Sequence, residues 1–70
     1  MINIMQTNAD AFIRKSEVKK ITGLSDTTIW RLEKAKKFPS RRRLSSSACG
    51  WLYSEVIAWM QSRPIIGAEE

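Results

Sequence analysis

Gly23-Leu24-Ser25 restricts this chain more than any other feature. Apolar residues recur at helical spacing on both sides of it, as Val18, Ile21 and Leu24 before and as Ile29, Leu32 and Ala35 after. Gly suits the left-handed position that closes a helix. Ser suits the cap that opens one, and Asp26 behind it is an acid where the helix dipole favours one. Two short helices joined by three or four residues around a Gly match a helix-turn-helix unit.

The rest of the chain supplies what such a unit packs against. Ser16 is the expected N-cap of the first helix, with Glu17 in its first turn, and the second helix is expected over residues 26–37. Phe12 and Ile13 form a short extended segment, and Phe38-Pro39 stops the second helix, because a residue before Pro avoids the helical region. Arg41 to Leu44, a small polar tip at Ser45-Ser46-Ser47 and Cys49 to Tyr53 read as two strands and a turn. Ser54 is the expected cap of a third helix, with Val56, Ile57, Trp59 and Met60 on its apolar face, until Pro64 forbids continuation. The expected fold is mostly α with a small β-hairpin, a winged helix-turn-helix over residues 12–63. A flexible arm over 1–11 precedes it, and a flexible acidic tail over 64–70 follows.

A chain of 70 residues makes one small domain that buries about 60% of its unfolded surface, which leaves little room for a catalytic cleft. Cys49 is the single cysteine and there is no His, so neither an internal disulfide nor a zinc site is expected. Cys49 reads as a small packing residue. No catalytic constellation appears, and no enzyme activity or cofactor is expected. No run of residues is long and apolar enough for a membrane span, and MINIMQTNAD lacks the blocks of a signal peptide. The expected location is the cytoplasm, at the nucleoid when bound to DNA.

Charge narrows the function. Of a net +5, residues 14–43 carry +8, from eleven bases against three acids. That concentration points to a polyanion. On a helical wheel Thr28, Ile29, Leu32 and Ala35 share one side of the second helix, which should pack on the first. Thr27, Trp30, Arg31 and Lys34 share the other, with Asp26 and Lys37 at its edge. Duplex DNA fits this arrangement, since a helix enters the major groove with its N-terminal half at the base edges. Arg31 is suited to a guanine edge, Thr27 to a base, a thymine methyl or a phosphate, and Lys34 and Lys37 to the backbone.

Plainer readings exist for the same residues. Lys-rich helix faces are commonly solvated, and Glu33 and Lys37 are spaced to pair at i,i+4. A Trp on a helix is usually core, but Trp30 lies about 100° from Ile29 and about 160° from Leu32, so it does not share their face. Trp51 and Trp59 are expected in the core. In the Arg41-Arg42-Arg43 run, strand alternation puts Arg41 and Arg43 on one face and Arg42 with Leu44 on the other. At least one of the three should meet DNA.

From Arg14 to Arg63 the chain resembles the AlpA family of small phage-encoded regulators, whose winged helix-turn-helix is similar to that of MerR-type proteins and excisionases. Thr22-Gly23-Leu24-Ser25, Thr28-Ile29-Trp30-Arg31-Leu32, Phe38-Pro39, Gly50-Trp51 and Ser54-Glu55-Val56, followed by Trp59, carry the resemblance in order and spacing. It implies sequence-specific binding to a phage or mobile-element promoter or attachment region, with the helix after Ser25 in the major groove and the hairpin as wing. One departure concerns the wing turn, typically glycine-rich with a basic residue in the family, which is Ser45-Ser46-Ser47-Ala48 in this chain.

The expected function is therefore transcriptional regulation through double-stranded DNA. Ser25, Asp26, Thr27, Thr28, Trp30, Arg31, Lys34, Lys37, Arg41, Arg42 and Arg43 form the expected interface. Further expected partners are other copies of the chain, bound cooperatively on repeated sites, and an integrase or RNA polymerase. One alternative is an architectural excision factor that bends DNA at an attachment site. Another is a protein-interaction module that presents Trp30 and the basic face to an acidic partner.

Overall fold

Residues 10–67 are described by the structure, a computed structural model. Residues 1–9 of the expected arm and 68–70 of the expected tail lie outside the described residues. The elements run β1 (Phe12–Ile13), α1 (Lys15–Thr22), α2 (Asp26–Lys34), β2 (Arg42–Ser45), β3 (Ala48–Leu52) and α3 (Tyr53–Gln61). Three helices and a three-stranded antiparallel sheet of order β1-β3-β2 make up the winged helix-turn-helix.

Both capping residues of the helix–helix joint behave as their chemistry requires. Gly23 adopts φ 76° and closes α1 by donating its N–H to the Lys19 carbonyl at 2.8 Å. The Ser25 hydroxyl accepts the Thr28 N–H at 3.2 Å and opens α2. Leu24 belongs to this joint rather than to α1, and it packs half-buried against the core.

The other two caps are not the serines expected. The N-cap of α1 is Arg14, whose carbonyl accepts from Glu17 and Val18 at 3.0 Å each, so Ser16 already lies inside the helix. Pairing of β1 with β3 causes this, since it holds the chain extended through Ile13 and leaves one residue in which to turn. The N-cap of α3 is Leu52, the last residue of β3, and Ser54 is again helical. Its free N–H groups are served from a distance: one Asp10 carboxylate oxygen accepts the Ser54 N–H at 3.0 Å and the other accepts its hydroxyl at 2.8 Å. Asp10 and Ala11, which the expected arm includes, are thus bonded to the domain, as the Ala11 carbonyl also accepts the Tyr53 N–H at 2.7 Å. The bonds from Ser54 hold the Asp10 carboxyl below its ordinary pKa.

The second helix is shorter than expected. It ends at Lys34, not at Lys36 or Lys37, because Lys36 takes φ 62° and reverses the chain. Lys36 N–H donates to the Glu33 carbonyl at 3.1 Å and Lys37 N–H to the Leu32 carbonyl at 2.8 Å, the two bonds of a Schellman closure. The turn delivers Phe38 to the interior, where it is 6% exposed. There it meets Trp51 and Trp59 edge to face, with ring centroids 6.5 and 4.7 Å away. The sequence alone marks Phe38 only as a helix end.

Val18, Ile29, Phe38, Trp51 and Val56 form the core, contributed by α1, α2, the loop, β3 and α3 in turn. Burying each of these side chains is worth about 1.5–3 kcal/mol. Trp51 is buried as expected, whereas Trp59 sits half-buried at the core's rim and Ala35 is exposed rather than packed. Gly50 is required by a close approach, since a Cβ at that position would stand 2.8 Å from the Ile13 carbonyl oxygen on β1. The hairpin runs one residue later at its first strand than expected, with a bulge at Leu44, where Arg43 faces Cys49 and Ser45 faces Ala48.

Candidate nucleic-acid interface

The α1–α2 joint and the core together decide which side of α2 is left to solvent. Ile29 is 1% exposed and Leu32 half-buried, so the opposite side must face outward. Thr27, Trp30, Arg31 and Lys34 are all exposed there, and Trp30 is 55% exposed. The Lys34 ammonium lies 5.0 Å from the centre of the Trp30 ring, one helical turn away, so the indole carries a cation over its face.

Not every expected interface residue is equally free. Ser25 and Thr28 are engaged with each other, the Ser25 hydroxyl donating to Thr28 Oγ1 at 3.0 Å while it accepts the Thr28 N–H. Asp26 pairs with Lys19 of α1 at 3.3 Å, which tethers the first turn of α2 to its neighbour. Lys37 is exposed but lies beyond the helix, and its carbonyl accepts the Trp59 indole N–H at 2.7 Å.

The three consecutive arginines have three different surroundings. Arg41 is half-buried and bonded to Glu33, through Nη2 to Oε1 at 2.7 Å and through Nε to both oxygens at 3.1 and 3.2 Å. The Glu33–Lys37 pair that the i,i+4 spacing allows does not form, because the early end of α2 takes Lys37 off the helix. Arg42 is exposed and pairs with Glu55 of α3. Arg43 is exposed and forms no salt bridge among the described residues. Arg41 and Arg43 line one open groove with Ser46, Ser47, Ala48 and Cys49, while Arg41 and Arg42 line another with Pro39, Ser40, Glu55 and Ala58. Arg41 precedes β2, which begins at Arg42, and a bulge follows Arg43, so the alternation expected from Arg41 to Leu44 does not extend through the run.

Ion pairing thus leaves a defined set of positive charges. Among the described residues Arg14, Lys15, Lys20, Arg31, Lys34, Lys36, Lys37, Arg43 and Arg63 have no acidic partner within 4.0 Å. No group of three or more His, Cys, Asp or Glu side chains among them is placed to hold a metal ion. No helix among them is long and apolar enough to cross a membrane. Sequence reasoning missed the Glu33–Arg41 pair and Asp10's service to α3; neither residue is spaced to reveal a partner eight or forty-four positions away.

Comparison with known proteins gives the lineage. A 41% identity extends over 54 residues to an uncharacterized protein, ORF88, of Enterobacteria phage P4, covering 77% of this chain and 61% of that protein. The chain therefore spans less than two thirds of that relative's length. No solved structure matches. The family described as Prophage CP4-57 regulatory protein (AlpA) matches residues 11–64, which include all three helices and all three strands. The chain belongs to the AlpA family of phage regulatory proteins.

Proposed function

We propose that this domain regulates transcription from a phage or mobile-element promoter by binding double-stranded DNA, with α2 in the major groove and the β2–β3 hairpin beside it. One observation carries the reading: Thr27, Trp30, Arg31 and Lys34 share an exposed face of α2 whose far side is held in the core by Ile29. A helix about 10–12 Å wide that presents cations and one aromatic ring, flanked by further unpaired bases, suits a groove lined by phosphates. Arg31 reads a base edge, Thr27 and Trp30 contact a base, a methyl or a sugar, and Lys34, Lys37 and Arg43 meet phosphates.

A module of this size buries on the order of 600–1,000 Å² on DNA, so selectivity calls for repeated sites or a second protein on the same DNA. Selection of bound sequences from random duplexes tests the function. A recurring site, present as repeats, is the expected outcome; enrichment of no sequence, together with binding of an acidic protein in competition with DNA, would move the assignment to a protein-interaction module.

A further inference from the structure

The segment between α2 and β2 is bonded to rigid neighbours at nearly every step. Trp59 holds the Lys37 carbonyl, Phe38 is packed between two indoles, and Trp51 donates to the Pro39 carbonyl at 2.9 Å. The last of these bonds returns to α2: the Arg41 N–H donates to Glu33 Oε2 at 2.8 Å, and the guanidinium grips the same carboxylate. A planar guanidinium on a carboxylate fixes orientation as well as distance. The guanidinium carbon of Arg41 also lies 5.0 Å from the centre of the Trp51 ring, so it cannot swing freely about that grip. Burial opposes the charge on Glu33, yet the bonds from Arg41 outweigh it and hold the carboxyl below its ordinary pKa.

We propose that Glu33 and Arg41 are positioning residues whose clamp sets the angle between α2 and the β2–β3 hairpin, so that Arg43 reaches a DNA phosphate while α2 occupies the groove. This rests on the duplex-DNA reading above. Arg41 spends Nε and Nη2 on Glu33 and Arg42 is spent on Glu55, whereas Arg43, two positions on from Arg41 and lining a groove with it, has no acidic partner among the described residues and keeps its charge for a ligand. The clamp sits at the base of the hairpin, where a small rotation is magnified at Arg43 and the Ser46-Ser47 turn.

Simple electrostatics and the clamp make opposite predictions for Glu33. A carboxylate near DNA repels phosphates, so neutralising it ought to tighten binding; a carboxylate that aims the hairpin ought to loosen binding when neutralised. The test measures affinity for a duplex selected by the full chain, across a range of salt. The chains compared are the wild type, Glu33→Gln, Arg41→Lys, Arg43→Ala, Lys34→Ala, and each of the last two combined with Glu33→Gln. Glu33→Gln keeps the side-chain shape and Arg41→Lys keeps the charge, and unfolding by circular dichroism sets a temperature at which each is folded.

Glu33→Gln and Arg41→Lys are each expected to bind about tenfold more weakly, with the slope of log K against log salt flatter by about one. Arg43→Ala should cost about as much in the wild type and almost nothing in the Glu33→Gln background, whereas Lys34→Ala should cost the same in both. Equal or tighter binding by Glu33→Gln, or an Arg43→Ala loss of the same size in both backgrounds, overturns the clamp and leaves the DNA reading intact. Failure of the wild type to bind any duplex overturns the DNA reading, and the clamp's role with it.

Discussion

Trp51 donates its indole N–H to the carbonyl of Pro39 at 2.9 Å, which makes the most deeply buried aromatic ring the anchor of the loop that leads from α2 to the hairpin. Trp51→Phe removes that donor and leaves both a void and an unpaired carbonyl. It is expected to lower unfolding free energy by about 2–3 kcal/mol. Trp59→Phe, at the core's rim, removes the bond to the Lys37 carbonyl but opens less buried space and should cost about 1 kcal/mol. Urea unfolding of both variants measures the difference, and an equal cost would deny Trp51 its special place.

Two left-handed residues give predictions of opposite sign. Gly23 at φ 76° has no Cβ to strain, although nothing lies within 4 Å of where one would be, so Gly23→Ala tests conformation alone and should destabilise by about 1 kcal/mol. Lys36 at φ 62° already bears that strain, and Lys36→Gly should stabilise by about 0.5–1 kcal/mol. Thermal unfolding at constant pH decides both. A destabilised Lys36→Gly would mean that the turn after α2 is not left-handed.

Acid should weaken the fold through Glu33 and Asp10. Each has a folded-state pKa below its unfolded value, Glu33 through Arg41 against the opposing effect of burial, and Asp10 through Ser54. A depressed carboxyl pKa contributes stability that is fully present above the unfolded values of about 3.9–4.3 and is lost as pH falls through the folded ones. Stability is therefore expected to be flat from about pH 7 to 5 and to decline below, with a shallower decline in Glu33→Gln and in Asp10→Asn. An identical acid limb in both variants and the wild type would contradict these assignments.

Local chemistry made the helix-turn-helix legible in the sequence. Gly23 and Ser25 act on their own neighbours, so a short stretch of sequence contains the whole cause of the joint, and the apolar period placed Ile29 inside and Trp30 outside. What escaped reading depends on partners distant along the chain. Ser16 and Ser54 are good caps by residue type, but β1–β3 pairing decides where α1 begins and a direct strand-to-helix passage decides where α3 begins. Lys36 disguises the end of α2, because a lysine in the left-handed region has no signature in sequence and only the burial of Phe38 explains the turn. For the arginine run, alternation could not assign the three side chains, because Arg41 precedes the strand and its partner Glu33, like Glu55 for Arg42, required the fold.

The outward side of α2 as a DNA-reading surface is tested most directly by titrating the chain into a labelled duplex bearing its selected site, from low to moderate salt, beside Arg31→Ala and Lys37→Ala. With about five phosphates neutralised, log K should fall against log salt with a slope of about −4 to −5. Arg31→Ala should lose about 1–3 kcal/mol on the selected site and discriminate less against other sequences, while Lys37→Ala should weaken all duplexes alike and flatten the slope by about one. Absence of binding to any duplex at low salt, or unchanged sequence preference in Arg31→Ala, would contradict the account.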